Sequence, residues 1–201
     1  MNPPSFIRVC QQNLAGCNCL SELIAIDNTD VFLLQDPSYR RFQSRFIVKV
    51  PPGFDATYDP FVIPRALILM KQGIGESVFS FGDIVCIKIR DIYYVSAYLD
   101  PSLRPFECIS FLQSAMDRLP LGCKLVLCGD FNAHHMSWGD KKSDPRGILI
   151  LKWLEESNLL LANTGKMTYH SRTWKTWSAA ALQKCSASWP ARQCARDRRS
   201  C

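Results

Sequence analysis

The segment Lys124-Leu-Val-Leu-Cys-Gly-Asp-Phe-Asn-Ala133 constrains this chain more than any other. A short apolar run reads as a strand covered on both faces. It ends abruptly in Gly129, Asp130 and Asn132, residues that favour turns. In extended backbone, positions i and i+2 point to one side. The spacing therefore predicts that the carboxylate of Asp130 and the carboxamide of Asn132 converge just beyond a sheet edge. Such a pair suits an oriented water and a phosphate oxygen near a hard cation. An ordinary Gly/Asp/Asn turn would look the same.

Other apolar runs stop on polar residues in the same way. Phe6 to Gln12 reads as a strand ending at Asn13. Val31 to Gln35 is followed by Asp36-Pro37, and Tyr93 to Leu99 contains Tyr98. Strands are also predicted over Phe46 to Val50, Arg65 to Lys71, Ile84 to Arg90 and Leu159 to Asn163, with residues 51 to 64 as loop. Apolar residues at three- and four-residue steps predict helices over Leu14 to Asp27 and Phe106 to Leu119. Asp144-Pro145 has the chemistry of a helix start, Asp as N-cap and Pro as first helical residue, for a helix reaching about Ser157. Adjacent strands mixed with helix-separated strands indicate an α/β, two-sheet β-sandwich flanked by helices.

Length allows one domain with a large core: 201 residues, 47% of them hydrophobic. No apolar run approaches membrane-spanning length. The ten cysteines lack zinc-ligand spacing and read as reduced thiols, with Cys86 and Cys128 in strands. The net charge of +6 is confined to residues 170 to 201, which hold seven basic side chains and one acidic one. The preceding residues balance at 17 of each sign. A neutral body with a basic end gives no general nucleic-acid footprint. Residues 178 to 201, rich in Ala, Ser, Arg and Cys, read as a disordered tail with a short helix near Ala179 to Lys184. Residues 1 to 177 then make up the folded domain.

Taken together, Gln12-Asn13, Phe32-Leu-Leu-Gln-Asp-Pro37, Val95-Ser-Ala-Tyr98 and the stretch from Leu127 to Gly139 resemble the endonuclease domain of non-LTR retrotransposons. Asp144-Pro-Arg-Gly147 and Leu159-Leu-Leu-Ala-Asn-Thr-Gly165 match it as well. That domain belongs to the endonuclease/exonuclease/phosphatase superfamily and is similar to apurinic/apyrimidinic endonucleases. The resemblance spans roughly residues 6 to 177. It implies Mg²⁺-dependent hydrolysis, with Mn²⁺ as a substitute, that nicks DNA to leave a 3′-hydroxyl for reverse transcription. Asp36, with Asn13 beside it, would hold the metal. Asp130 and Asn132 would orient water and a phosphate oxygen. Tyr98 would contact the scissile phosphate, and Thr168 the backbone. The partners implied are DNA and the RNA and reverse transcriptase of a parent element, in the nucleus.

Two departures from the family pattern bear on activity. The metal position usually carries Glu, one methylene longer than Asp36. The family's closing Ile-Asp and Ser-Asp-His motifs do not occur after Thr168, so the last strands and the acid/base histidine are expected to be missing and activity low. Non-catalytic nucleic-acid binding is the alternative of a different class. Another phosphodiesterase or phosphatase chemistry of the superfamily is the alternative within the fold.

Overall fold

The computed structural model describes residues 6–26, 28–162 and 180–184. In chain order the elements are β1 (Val9–Asn13), α1 (Leu20–Ile26), β2 (Val31–Gln35), β3 (Tyr39–Phe42), β4 (Arg45–Val48), β5 (Phe54–Thr57), β6 (Ala66–Lys71) and β7 (Glu76–Phe81). They continue with β8 (Ile84–Ile89), β9 (Ile92–Tyr98), α2 (Pro105–Met116), β10 (Lys124–Asp130), α3 (Pro145–Glu156), β11 (Leu160–Leu161) and β12 (Ala180–Lys184). A four-stranded sheet has the order β1-β2-β6-β5, and a six-stranded sheet the order β11-β12-β10-β9-β8-β7. β3 and β4 form a separate two-stranded ribbon.

The alternation of side chains along each strand builds three apolar layers. Val31, Leu33, Ile68 and Met70 of the smaller sheet meet Val85, Ile87, Tyr94 and Cys128 of the larger. The opposite face of the smaller sheet, with Cys10, Phe32, Leu34 and Leu67, is covered by Leu14, Leu20 and Val48. On the outer face of the larger sheet, Cys86, Val95, Ala97 and Leu127 pack against Leu112 of α2 and Ile150 and Trp153 of α3. Every residue of β2 is therefore buried, as its unbroken apolar run requires. A buried polar chain crosses between the sheets. Gln11 Nε2 donates to Gln35 Oε1 (2.6 Å), Gln35 Nε2 to Ser96 Oγ (2.8 Å), and Ser96 Oγ to the Leu34 carbonyl (3.0 Å). Gln35 and Ser96 are wholly inaccessible, and these bonds satisfy groups that would otherwise be costly to bury.

Five elements differ from the sequence reading. The first helix begins at Leu20, not Leu14, because Ala15 and Gly16 adopt left-handed backbone (φ 48° and 71°). Residues 14 to 19 instead cover the sheet, with the Leu14 N–H bonded to the Gln35 carbonyl at 2.8 Å. The segment read as loop over 51 to 64 contains β5, which pairs antiparallel with β6. β3 and the edge strand β7 were not anticipated as strands. Finally, the Ala-Leu-Gln-Lys segment read as a short helix near Ala179 to Lys184 is β12, inserted antiparallel between β10 and β11. The free side of the motif-bearing strand is thereby paired.

Candidate active site

Parallel pairing of β1 with β2 and of β9 with β10 brings four strand ends to one rim. Antiparallel β6 and β8 begin at the same rim. This topology delivers residues from both sheets to one place. Asn13, at the end of β1, donates from Nδ2 to Asp130 Oδ2 over 2.6 Å, joining residues 117 apart in the chain. Asn13 Oδ1 in turn accepts from the Ala15 N–H (2.8 Å), which fixes which end of the carboxamide faces Asp130.

Asp130 and Asn132 do not converge through extended alternation. Asn132 has φ 45°, and its N–H donates to Asp130 Oδ1 at 3.0 Å, an Asx-type turn. Its Nδ2 donates to the Leu99 carbonyl (2.9 Å). Burial raises the pKa of Asp130. The Asn132 N–H and Asn13 pull it back, while the negative charge of Asp36 pushes it up further. Burial likewise raises the Tyr98 phenol, reinforced by the Asp36 charge, so Tyr98 stays protonated as a donor.

Asp36 itself is engaged by a residue the sequence reading did not single out. Arg65 Nη1 lies 2.9 Å from Asp36 Oδ1 and 3.5 Å from Tyr98 Oη, with the guanidinium 5.2 Å from the centre of the Tyr98 ring. Asp36 also has left-handed backbone (φ 45°), a conformation that Asp tolerates better than longer side chains. A cavity of about 290 Å³ opens beside the pair, lined in part by Ala15, Pro37, Tyr39 and Pro64. Asp83, at the start of β8, is pushed up to about 6 by burial, with Arg65 opposing and Asp100 and Asp36 adding to the rise. Its carbonyl accepts from the Tyr98 N–H at 2.8 Å.

Arg146 is the second unanticipated contributor. Buried at the first turn of α3, it donates to the carbonyls of Asn132 (3.1 Å), Phe131 (3.5 Å), Pro101 (3.0 Å) and Leu103. It thereby ties the loop after β10 to the loop after β9. Asp144 caps α3 as its sequence predicts, accepting from the Gly147 N–H at 2.6 Å, and also receives the His134 N–H at 3.2 Å. The histidines that follow the motif are held locally. His134 Nδ1 lies 3.3 Å from Asp140 Oδ1, and His135 Nδ1 accepts from the Ser137 N–H at 3.0 Å. Thr168 lies outside the described residues.

Carboxylate charge gathers at this rim. Asp36, Asp83, Asp100 and Asp130 influence one another or share Arg65 as their counter-cation, so carboxylates outnumber the nearby cation. Mg²⁺ needs only one or two protein carboxylates, with water and phosphate completing its shell. No group of three His, Cys, Asp or Glu side chains converges into a metal cluster among the described residues.

The family model described as endonuclease-reverse transcriptase matches residues 92–183. No curated protein matches the sequence. Among solved structures, the chain is similar to the endonuclease domain of TRAS1, a telomere-specific non-LTR retrotransposon. That match has a TM-score of 0.72 and 20% identity, covering 89% of this chain and 85% of that one. An AP endonuclease from Archaeoglobus fulgidus matches with a TM-score of 0.66 and 12% identity, covering 89% of this chain and 87% of that one. A 3′–5′ exonuclease from Neisseria meningitidis matches with a TM-score of 0.61 and 14% identity, over the same shares of the two chains.

Proposed function

We propose that the rim site is a slow, divalent-metal-dependent DNA nuclease, a reading supported by the endonuclease-reverse transcriptase pattern over residues 92–183 and by the fold shared with the TRAS1 endonuclease domain. The observation that carries the reading is the 2.6 Å bond from Asn13 to Asp130, which assembles one polar centre from the ends of two sheets. The product would be a nick with a 3′-hydroxyl, suited to priming reverse transcription by a parent element.

Asp36 and Asn13 are the residues that would hold Mg²⁺. When bound, the ion would neutralise phosphate charge and acidify a water. Asp130, its pKa raised by burial, is a stronger base than an ordinary carboxylate and is aimed by Asn13 and the Asn132 N–H. Asn132 steadies the same water and a phosphate oxygen. Tyr98, kept neutral, donates its hydroxyl to the scissile phosphate.

Two features favour a low rate. Arg65 occupies the Asp36 carboxylate that the metal would need. Both described histidines are bonded locally, to Asp140 and Ser137, and loss of an acid/base histidine typically costs about 10²–10⁴ in rate. The Arg65–Asp36 pair also favours a second reading, nucleic-acid binding without cleavage.

A supercoiled plasmid incubated with the full chain and Mg²⁺ decides between them. Slow conversion to open circles, abolished by EDTA and by Asp130→Ala, is the expected result. Wild-type conversion no faster than that of Asp130→Ala would overturn the nuclease reading and leave binding.

A further inference from the structure

We propose that the β3–β4 ribbon is a DNA-docking element that grips the duplex on the Asp36 side of the rim. This inference rests on the reading of the rim as a site that acts on DNA. Among the described residues its strands pair with each other, in the register Tyr39↔Val48, Arg40↔Ile47, Arg41↔Phe46 and Phe42↔Arg45, and the Phe46 N–H donates to the Pro60 carbonyl at 2.7 Å. Strand alternation divides it into two faces. The inner face carries Val48, which is buried, and Tyr39, whose ring meets that of Phe46 edge-on at 5.3 Å.

The outer face carries Arg40, Phe42, Arg45 and Ile47. Phe42 is 61% exposed and Ile47 46%. Arg45 stacks over the ring of Phe61, also 61% exposed, at 5.3 Å. Water is therefore in contact with a cluster of large apolar groups edged by guanidinium. Arg41 is partly committed to the ribbon's own turn, where it donates to the Gln43 carbonyl at 3.4 Å.

Charge identifies the occupant. Between Pro37 and Phe54 there are four basic residues, Arg40, Arg41, Arg45 and Lys49, and no acidic one. Up to residue 169 the chain balances its charges, so this is a local concentration. Arginine beside exposed aromatic and aliphatic side chains suits a phosphate backbone with groove or base surface next to it. A two-stranded ribbon is narrow enough to enter a major groove. The position agrees. Tyr39 lies three residues after Asp36, about 10 Å of extended chain, and lines the same cavity as Asp36 and Arg65. The base of the ribbon therefore adjoins the rim. An acidic protein segment could meet the same charge, but it would have no reason to lie beside a phosphodiester site.

The test uses a fluorescein-labelled duplex, the full chain in EDTA, and anisotropy over a range of KCl concentrations. Each lost phosphate contact reduces the slope of log K against log salt by about 0.9, so Arg40→Ala/Arg45→Ala should reduce it by about 1.8. Phe42→Ala should weaken binding with the slope unchanged. The Arg40→Gln/Arg45→Gln pair, which keeps most of each apolar stem, should reproduce the change in slope with an unaltered melting temperature. A wild-type slope in both double variants would overturn the ribbon proposal even if the protein nicks plasmid. Duplex binding that depends on the ribbon but comes with no nicking would overturn the nuclease reading alone. Absence of salt-dependent duplex binding in the wild type would overturn both.

Discussion

Arg65 Nη1 sits 2.9 Å from Asp36 Oδ1, so the carboxylate proposed to hold the metal already holds a cation. Any divalent ion at Asp36 must share it with the guanidinium or displace it. Charges this close at a half-buried rim interact by a few kcal/mol before competition from water, and partial exposure reduces the net effect to about 1 kcal/mol. Arg65→Ala should therefore tighten Mn²⁺ binding roughly fivefold, read by isothermal titration of the DNA-free chain. Arg65→Lys should fall between the two, since a lysine makes a point contact and cannot hold Asp36 and Tyr98 with one planar group.

Asn13→Ala removes a donor from a half-buried carboxylate. An unsatisfied buried acceptor costs about 1–3 kcal/mol, and the change should push the Asp130 pKa still higher. Urea unfolding at pH 7 should show that loss, and it should shrink at acid pH, where Asp130 is protonated.

Asp83 provides a pH signature. Its ordinary value of 3.8 is raised to about 6 in the folded protein. A raised acid binds its proton more tightly when folded, so the stability contribution is greatest below the unfolded value and is lost as pH rises through the folded one. Stability should decline between about pH 4 and pH 6 from this group. Asp83→Asn should abolish that component and stabilise the protein at pH 7 by about 1 kcal/mol, after discounting for partial exposure. Thermal melts across pH 4–7 in EDTA would check both.

Gly129 faces Ala97 of β9 across the parallel pair. A Cβ there would meet the Ala97 carbonyl oxygen and approach its carbon to 2.9 Å, both of them backbone. Gly129→Ala must force the two parallel strands apart and should cost about 3 kcal/mol or more. Loss of expression, or a denaturation midpoint far below wild type, is the expected result.

Arg146→Lys should be far from conservative. Four carbonyls from two loops converge on one guanidinium, and an ammonium can satisfy only some of them. A destabilisation of about 2–3 kcal/mol is expected. The Asn132 and Leu99 amides should exchange with deuterium faster, because both lie in the loops that Arg146 joins.

Much of this architecture was legible wherever burial imposed a pattern. The uninterrupted Val31 to Gln35 run marks a strand with both faces covered, and Asp144-Pro145 marks a capped helix start. Where burial was absent, the pattern was too. All four residues of β3 are exposed, and β7 is an edge strand with no fully buried residue. β12 escaped detection for another reason. Its Ala, Leu, Gln and Lys favour helix intrinsically, and pairing with β10 and β11 overrides that preference. Asn13, Asp36, Tyr98, Asp130 and Asn132 could be picked out because each closes a strand or lies in its motif. Arg65 and Asp83 could not. They stand at strand beginnings and reach the rim only through the antiparallel pairing of β6 with β2 and of β8 with β9. Local spacing carries no information about which strands pair.

The bond between Asn13 and Asp130 spans 117 residues. A contact this remote requires a long loop to close before it contributes anything. The smaller sheet can gather around β2 and β6 while the polar centre still lacks its carboxylate. An intermediate with only one sheet in place thus holds an amide without its partner. For this chain, that bond doubles as a report that the two halves of the sandwich have docked in register.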